Sequence, residues 1–198
     1  MPQLKLTYFD GTGRAELARL LLHYGGVAFD DERISFGDLA ALKPSLPIGQ
    51  LPVLQVDGTT YAQSMAITRY VAKLVGLYPV DAVDALRADM ISETLKDLAS
   101  VYFPIVYLER DPAVKAEKTK AMLAEHVPKA LTALEGFVAG KFSLGDDKMS
   151  YVDVQFFDVL VNGLQTNFPD FDASPYPKLR PVADSVKANA GVAAYLTK

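Results

Sequence analysis

The sequence predicts two domains of different class, an α/β domain of βαβ then ββα order over residues 1–78 and an all-helical domain over residues 79–198. Three observations carry this. Polarity alternates through Leu4–Tyr8 as in a half-buried strand, Asp57-Gly58 sits between two short apolar runs as in a hairpin, and the periodic segments beyond Asp81 all have helical spacing.

Leu4, Leu6 and Tyr8 fall on one face of the first strand and Lys5 and Thr7 on the other. Asp10-Gly11-Thr12-Gly13 interrupts it. Ala15, Leu17, Ala18, Leu21 and Leu22 then recur at helical spacing as far as Tyr24, and Gly25-Gly26 supplies the small residues at which helices end. Val27 to Ile34 reads as a second strand, and Phe36 to Lys43 as a short irregular helix stopped by Pro44. Pro52 to Val56 and Thr59 to Tyr61 flank Asp57-Gly58, a dipeptide suited to a tight turn with positive φ. Ser64 precedes Met65, Ile67, Val71 and Leu74 and is expected to cap a helix ending near Gly76. Tyr78 to Asp81 reads as a linker at a shift in composition. Beyond it, a long helix is expected from about Asp84 to Glu109. Pro112, Pro128, the Gly140 to Asp147 loop and Pro169, Pro175, Pro177 and Pro181 divide the remainder into about five helices. Pro128 kinks its helix or opens a new one.

Half of the 198 residues are apolar, enough for a sizeable core. A formal net charge of -4 argues against a nucleic-acid surface, which needs clustered Lys and Arg. Cysteine is absent, which excludes disulfides, thiolate metal sites and protein thiol nucleophiles, thioredoxin and glutaredoxin chemistry included. Any sulfur chemistry must therefore come from a ligand. His23 and His126 lie far apart and form no H-E-x-x-H motif, so no metal is expected. The first residues alternate in polarity instead of forming a signal-peptide core, and no run approaches the roughly 18 apolar residues that span a bilayer. A cytoplasmic protein without a membrane partner is expected.

The phrase Leu6-Thr-Tyr-Phe-Asp-Gly-Thr-Gly-Arg-Ala-Glu16, followed by Gln50-Leu-Pro-Val-Leu54 and Gln63-Ser-Met-Ala-Ile67, resembles the cytosolic glutathione transferases. Among their classes it looks most like sigma. Ser150-Tyr-Val-Asp153 is similar to the family's folding box, so the resemblance covers essentially the whole chain, and the order and spacing of the phrases make it specific. It implies a thioredoxin-like first domain, a helical second domain contributing the electrophile site and dimer contacts, a homodimer, and glutathione as co-substrate with no prosthetic group.

A transferase must grip the charged ends of glutathione and ionise its thiol. Lowering an ordinary thiol pKa of about 8.5 by about two units takes about 2.7 kcal/mol of preference for the thiolate, the order of one charge-assisted hydrogen bond. Tyr8, at the end of the first strand beside a turn, places a hydroxyl far from the backbone on a rigid arm. Standing alone it would read as a core aromatic; the resemblance makes it the sulfur partner. Arg14 would add positive potential near the sulfur, or is an exposed helix-start ion pair. Thr12 is an alternative hydroxyl, disfavoured by the Leu6-Thr-Tyr-Phe9 context.

By resemblance, Leu51-Pro52 is the position of a cis peptide that leaves the Leu51 backbone free to pair with the ligand; otherwise Pro52 simply opens a strand. Gln63-Ser64, before a helix, offers backbone donors to the γ-glutamyl carboxylate. Lys43 and Gln50 match positions that hold the glycyl end, and Leu39 stands where sigma-type chains usually carry tryptophan. Asp97 resembles the acid that reaches across the dimer to the γ-glutamyl ammonium, although a solvated helix carboxylate looks the same. Lys96 interrupts the acidic cluster with which some sigma relatives bind a cation. Phe9, Gly13, Tyr102, Phe103 and Tyr107 are candidates for the electrophile site, between the domains, and the three on the helix suit core packing equally well. Ser150 and Asp153 are assigned to helix capping. The activity implied is addition of the thiolate to electrophilic carbon, with organic hydroperoxide reduction a further possibility. A prostaglandin-type isomerase using the same sulfur, and a non-catalytic crystallin-like or ligand-carrier protein, are the alternatives.

Overall fold

The computed structural model describes residues 2–146 and 149–197, so Met1 and Lys198, the outer ends of the two expected domains, and Asp147, the end of the expected loop, lie outside it. Residues up to Tyr78, joined by those from Ala190 onward, form one compact unit, and Pro79–Asn189 form a second. The sequence reading kept 190–198 with the helical domain; in its packing the segment from Ala190 joins the first unit.

The first unit is built on a four-stranded mixed sheet of order β2-β1-β3-β4, with β1 Leu4–Phe9, β2 Asp30–Ile34, β3 Val53–Val56 and β4 Thr59–Ala62. β2 is parallel to β1 through the crossover helix α1, Glu16–Tyr24, and β3 is antiparallel to both β1 and β4. This is the thioredoxin-like arrangement. Leu6 faces Leu54 across the ladder, and both are buried with Leu4, Leu20, Leu21, Ile67 and Val71. Asp57 and Gly58 have φ of 49° and 86°, the doubly positive turn the dipeptide predicts. Helix α2 is only Leu39–Leu42, and Phe36 lies in the turn ahead of it. Helix α3, Ser64–Leu74, and helix α9, Ala190–Leu196, complete the unit, α9 packing on α1.

Helix α1 is not amphipathic in the ordinary sense, because every residue from Glu16 to Leu22 is buried, Glu16 and Arg19 included. A charged pair on an enclosed helix needs partners, and these decide the shape of the candidate site.

In the second unit, helix α4 runs Ala82–Tyr107, capped by Asp81, whose carboxylate accepts from the Val83 and Asp84 N–H groups at 2.9 and 3.0 Å. Helix α5, Pro112–Ala121, continues through a π-helical turn, Met122–His126, into α6, Val127–Phe137. Pro128 thus neither ends the helix nor opens a separate one. Its missing N–H is absorbed where the helix widens to i→i+5 bonding. A second π-helical turn, Asp158–Gln165, follows α7, Tyr151–Phe157, which is buried along its whole length, and α8, Leu179–Lys187, packs on α7.

Candidate active site

Tyr8 is next to last in β1, and its hydroxyl oxygen accepts a hydrogen bond from the Arg14 backbone N–H at 3.1 Å. The intervening turn makes that bond possible. Gly13 has φ of 52°, and a Cβ there would lie 2.7 Å from the Tyr8 oxygen, so the backbone lies against the phenol where no other residue fits. A hydroxyl that accepts one bond is polarised as a donor for the next. The Arg14 contribution seen here is its peptide N–H; the side chain is exposed. Thr12 precedes the 3₁₀ turn Gly13–Ala15 without a side-chain cap.

The Leu51-Pro52 peptide is cis. Pro52 is buried, and the strand ladder starts only at Val53, so the Leu51 peptide groups lie ahead of the described strand pairing. Gln63, exposed, has φ of 76°, a left-handed conformation that costs a non-glycine residue roughly 1 kcal/mol or more. It turns the chain directly into α3 and occupies the cap position without a side-chain cap, so the expectation that Ser64 caps the helix is corrected: Ser64 is the first helical residue. Because the turn is made by backbone conformation, a side-chain oxygen need not cap the leading amides, and they point toward the helix entrance. Lys43 is exposed at the end of α2, with its methylenes 3.3 Å from where a Gly49 Cβ would lie, which sets it beside Gln50. Leu39, half-buried, begins α2. The Phe9 ring meets Tyr8 edge-on at 5.2 Å and stacks on the exposed Phe36 at 4.2 Å. Tyr8, Phe9, Gly13 and Arg14 are therefore brought together by one turn, and Leu39, Lys43 and Gln50 belong to a second segment of the same unit.

The remaining candidates belong to the second unit. Asp97 is exposed on α4, with the Ser100 hydroxyl donating to its backbone carbonyl at 2.6 Å. Tyr102 is only 4% exposed, and its hydroxyl packs against Gly163. Burial pushes its pKa well up, so it behaves as a core phenol. Phe103 and Tyr107 are half-buried, with ring centres 5.5 Å apart. Ser150 and Asp153 form the expected capping box, and Asp153 also accepts from the buried Ser143 N–H at 2.8 Å and its hydroxyl at 2.6 Å. Burial raises the Asp153 pKa against these bonds.

Sequence reasoning missed the ionic support beneath Tyr8. Arg19 has no exposed surface; its guanidinium donates to Asp31 at 2.9 Å, to the Gly11 carbonyl at 2.6 Å, and more weakly to Glu16 at 3.4 Å and the Phe9 carbonyl at 3.5 Å. Its carbon centre also lies 5.9 Å from the Tyr8 ring centre. Arg33 pairs with Asp31 and Asp10 and donates to the Tyr195 hydroxyl at 3.3 Å, which donates to Glu16 at 3.0 Å. Burial pushes Glu16 up from the ordinary carboxyl value despite Arg19 and Tyr195, and burial with Glu16 pushes Tyr195 up to about 12. The signal was present: Arg19 stands four residues after Ala15 and three before Leu22, on the stripe predicted to be buried.

The first unit thus combines a thioredoxin-like sheet, a cis-proline and a tyrosine late in β1, in a chain without cysteine. The chain matches the family model for the glutathione S-transferase N-terminal domain over residues 4–73 and that for the C-terminal domain over residues 96–198. It is 37% identical to a Glutathione S-transferase of Anopheles gambiae and 34% identical to the Hematopoietic prostaglandin D synthase of Gallus gallus, covering all of this chain and 97% of each relative. The solved structure described as rat hPGDS complexed with a quinoline superposes with a TM-score of 0.89 at 29% identity, over 99% of this chain and 96% of that one. The chain belongs to the glutathione S-transferase family, and it is an enzyme of that kind.

Proposed function

We propose that Tyr8 donates its hydroxyl hydrogen bond to the sulfur of glutathione, holding it as a thiolate that attacks hydrophobic electrophiles. The Arg14 N–H bond to the Tyr8 oxygen at 3.1 Å is the observation that carries this reading. With an aryl halide, the thiol proton leaves to solvent, a carbon–sulfur bond forms and halide departs. The Leu51 peptide would pair with the cysteinyl part, Gln63, Ser64 and the leading amides of α3 with the γ-glutamyl carboxylate, and Lys43 and Gln50 with the glycyl end. Leu39 offers apolar contact there and no hydrogen-bond donor. Phe9 and Gly13, with Tyr102, Phe103 and Tyr107, are assigned to the electrophile. The burial of Tyr102 makes it a supporting residue in that set.

The assembly in this reading is a sigma-type homodimer in which Asp97 of one copy reaches the γ-glutamyl ammonium bound by the other. Two apolar surfaces favour it: a cleft of about 340 Å³ flanked by the exposed Tyr61 and Tyr70, and the exposed Val83, Leu86 and Met90 on α4. Sedimentation of the purified protein tests it, a single monomeric species counting against the dimer. Cytoplasmic detoxification is the setting we assign.

Tyr8→Phe removes the sulfur donor together with the acceptor of the Arg14 N–H and keeps the ring. Loss of about 2.7 kcal/mol of thiolate preference predicts a fall of roughly 100-fold in turnover of a chromogenic aryl halide, with glutathione KM within about twofold. Unchanged turnover would remove Tyr8 from the mechanism. Likeness to the Gallus gallus relative supports a second reading, a glutathione-dependent isomerase on the same sulfur. Products formed from a prostaglandin endoperoxide separate it from conjugation.

A further inference from the structure

Helix α9 carries a side chain that the thiol chemistry does not use but that belongs to the support of the Tyr8 turn. The Tyr195 hydroxyl donates to Glu16 at 3.0 Å and accepts from Arg33 at 3.3 Å, while its ring stacks on His23 with centres 4.4 Å apart. Glu16 meets Arg19, Arg19 meets Asp31, and Asp31 meets Arg33 through its other carboxylate oxygen, so the five side chains close a ring. Two guanidinium groups of that ring hold the segment after β1. Arg19 binds the Phe9 and Gly11 carbonyls and Arg33 binds the Asp10 carboxylate.

We propose that Tyr195 is a positioning residue for thiol activation, closing this ring and thereby fixing the turn that sets the Tyr8 hydroxyl. The inference rests on Tyr8 as the sulfur partner. The two guanidinium groups differ in how firmly they are held. Arg19 is enclosed, whereas the Arg33 side chain is 34% exposed and is held by Asp31 at 2.9 Å, by Asp10 at 3.3 Å and by Tyr195 at 3.3 Å. Of these three partners Tyr195 is the one that ties Arg33 to Glu16, its single hydroxyl using both its donor and its acceptor capacity there. Without it, Glu16 keeps only the 3.4 Å contact to Arg19 in a buried setting, and Arg33 keeps Asp31 and Asp10 but loses its link to Glu16 and α9. The turn between Asp10 and Arg14 then loosens where Gly13 lies against the phenol and the Arg14 N–H reaches its oxygen. Tyr195 touches neither, so its effect on chemistry passes entirely through the turn.

The test uses the full chain with tyrosine labelled at Cζ, one signal for each of its ten tyrosines, with Tyr8 assigned by its disappearance in Tyr8→Phe. In ligand-free Tyr195→Phe, which keeps the ring on His23, the Tyr8 titration midpoint is expected to rise by about half a pH unit or more. The kcat/KM pH profile for glutathione conjugation should move upward with it, and kcat/KM at neutral pH should fall about threefold or more while glutathione KM stays within about twofold. Arg33→Met opens the ring from its partly exposed side and should move Tyr8 in the same direction, whether or not Tyr195→Phe folds. A Tyr8 midpoint unchanged in the folded variants overturns the proposal, whatever happens to their melting temperatures. Because Tyr8 is read without glutathione, failure of the transferase reading shows separately, as a parent protein that does not conjugate.

Discussion

Arg19→Met isolates the buried charge beneath the candidate site. Methionine keeps an unbranched stem of similar reach and removes each polar contact of a side chain with no exposed surface. The bonds to Asp31 at 2.9 Å and Gly11 at 2.6 Å are well formed, whereas those to Glu16 at 3.4 Å and Phe9 at 3.5 Å are long. Asp31 keeps Arg33 and is partly solvated, so its loss is small. Glu16 is left buried with only Tyr195, and removing one partner of a buried pair costs roughly 3–5 kcal/mol, of which the apolar methionine returns about 1–2 kcal/mol. The expected net destabilisation is about 3 kcal/mol, read from the shift in urea midpoint at constant slope. The pH dependence adds a second signature. Burial already raises Glu16, so native Glu16 binds its proton more tightly than the unfolded chain does, and stability is lost as pH rises from about 4.5 through the folded pKa. Loss of Arg19 moves that pKa higher, so the deficit should be smallest in acid and widen toward neutral pH. A destabilisation below about 1 kcal/mol, constant with pH, would refute the assignment of Arg19 as the counter-ion of an enclosed carboxylate.

Gly13→Ala forces a Cβ toward a position 2.7 Å from the Tyr8 oxygen at a φ of 52°, so conjugation should fall at least about tenfold with much of the fold retained; wild-type kcat in a folded variant contradicts the close approach. Glu16→Gln removes the raised carboxyl, so the stability of the parent relative to this variant should decline as pH rises from about 4.5, and a flat difference in urea unfolding rejects the shift. Asp153→Ala strips the acceptor from four buried donors on Ser143 and Ser150, at 2.6 to 3.0 Å. A loss of about 3 kcal/mol is expected by thermal or chemical unfolding, without a change in glutathione affinity while the protein remains folded.

Elements and their order were legible because period, turn chemistry and proline placement are local signals. Asp57-Gly58 forced the hairpin, and Ser150 to Asp153 declared a capping box that the fold contains. The irregular pieces were less legible. Gln63 takes a positive φ that no local preference requests, so the Ser64 cap was misplaced by one residue, and Pro128 is carried through by a π-helical turn whose cost is met in packing. The segment from Ala190 was assigned to its neighbours in sequence, yet Tyr195 reaches Glu16, 179 residues earlier in the chain, a pairing that no periodicity can show. Tyr8, Leu51-Pro52 and Gln63-Ser64 were singled out by the family resemblance that their phrases carry together. The network of Arg19, Glu16 and Arg33 was not, because the helix was read from its apolar members alone and Arg33 comes from a separate strand.

The candidate site divides by the kind of group each contact uses, and that division predicts which residues can vary. The Arg14 N–H, the Leu51 peptide and the first amides of α3 are backbone groups; they need a conformation and accept almost any side chain that permits it. In the proposed reading the glycyl end relies on side chains, Lys43 and Gln50, both exposed. Leucine at position 39 is therefore a change on the side-chain half of the site. It removes one donor where Lys43 still supplies charge, and leaves the sulfur geometry untouched. Gly13, Arg19 and Gln63 carry the opposite risk: each fixes backbone from which the proposed sulfur and γ-glutamyl contacts would be made, so their loss acts through conformation as well as through any contact of their own.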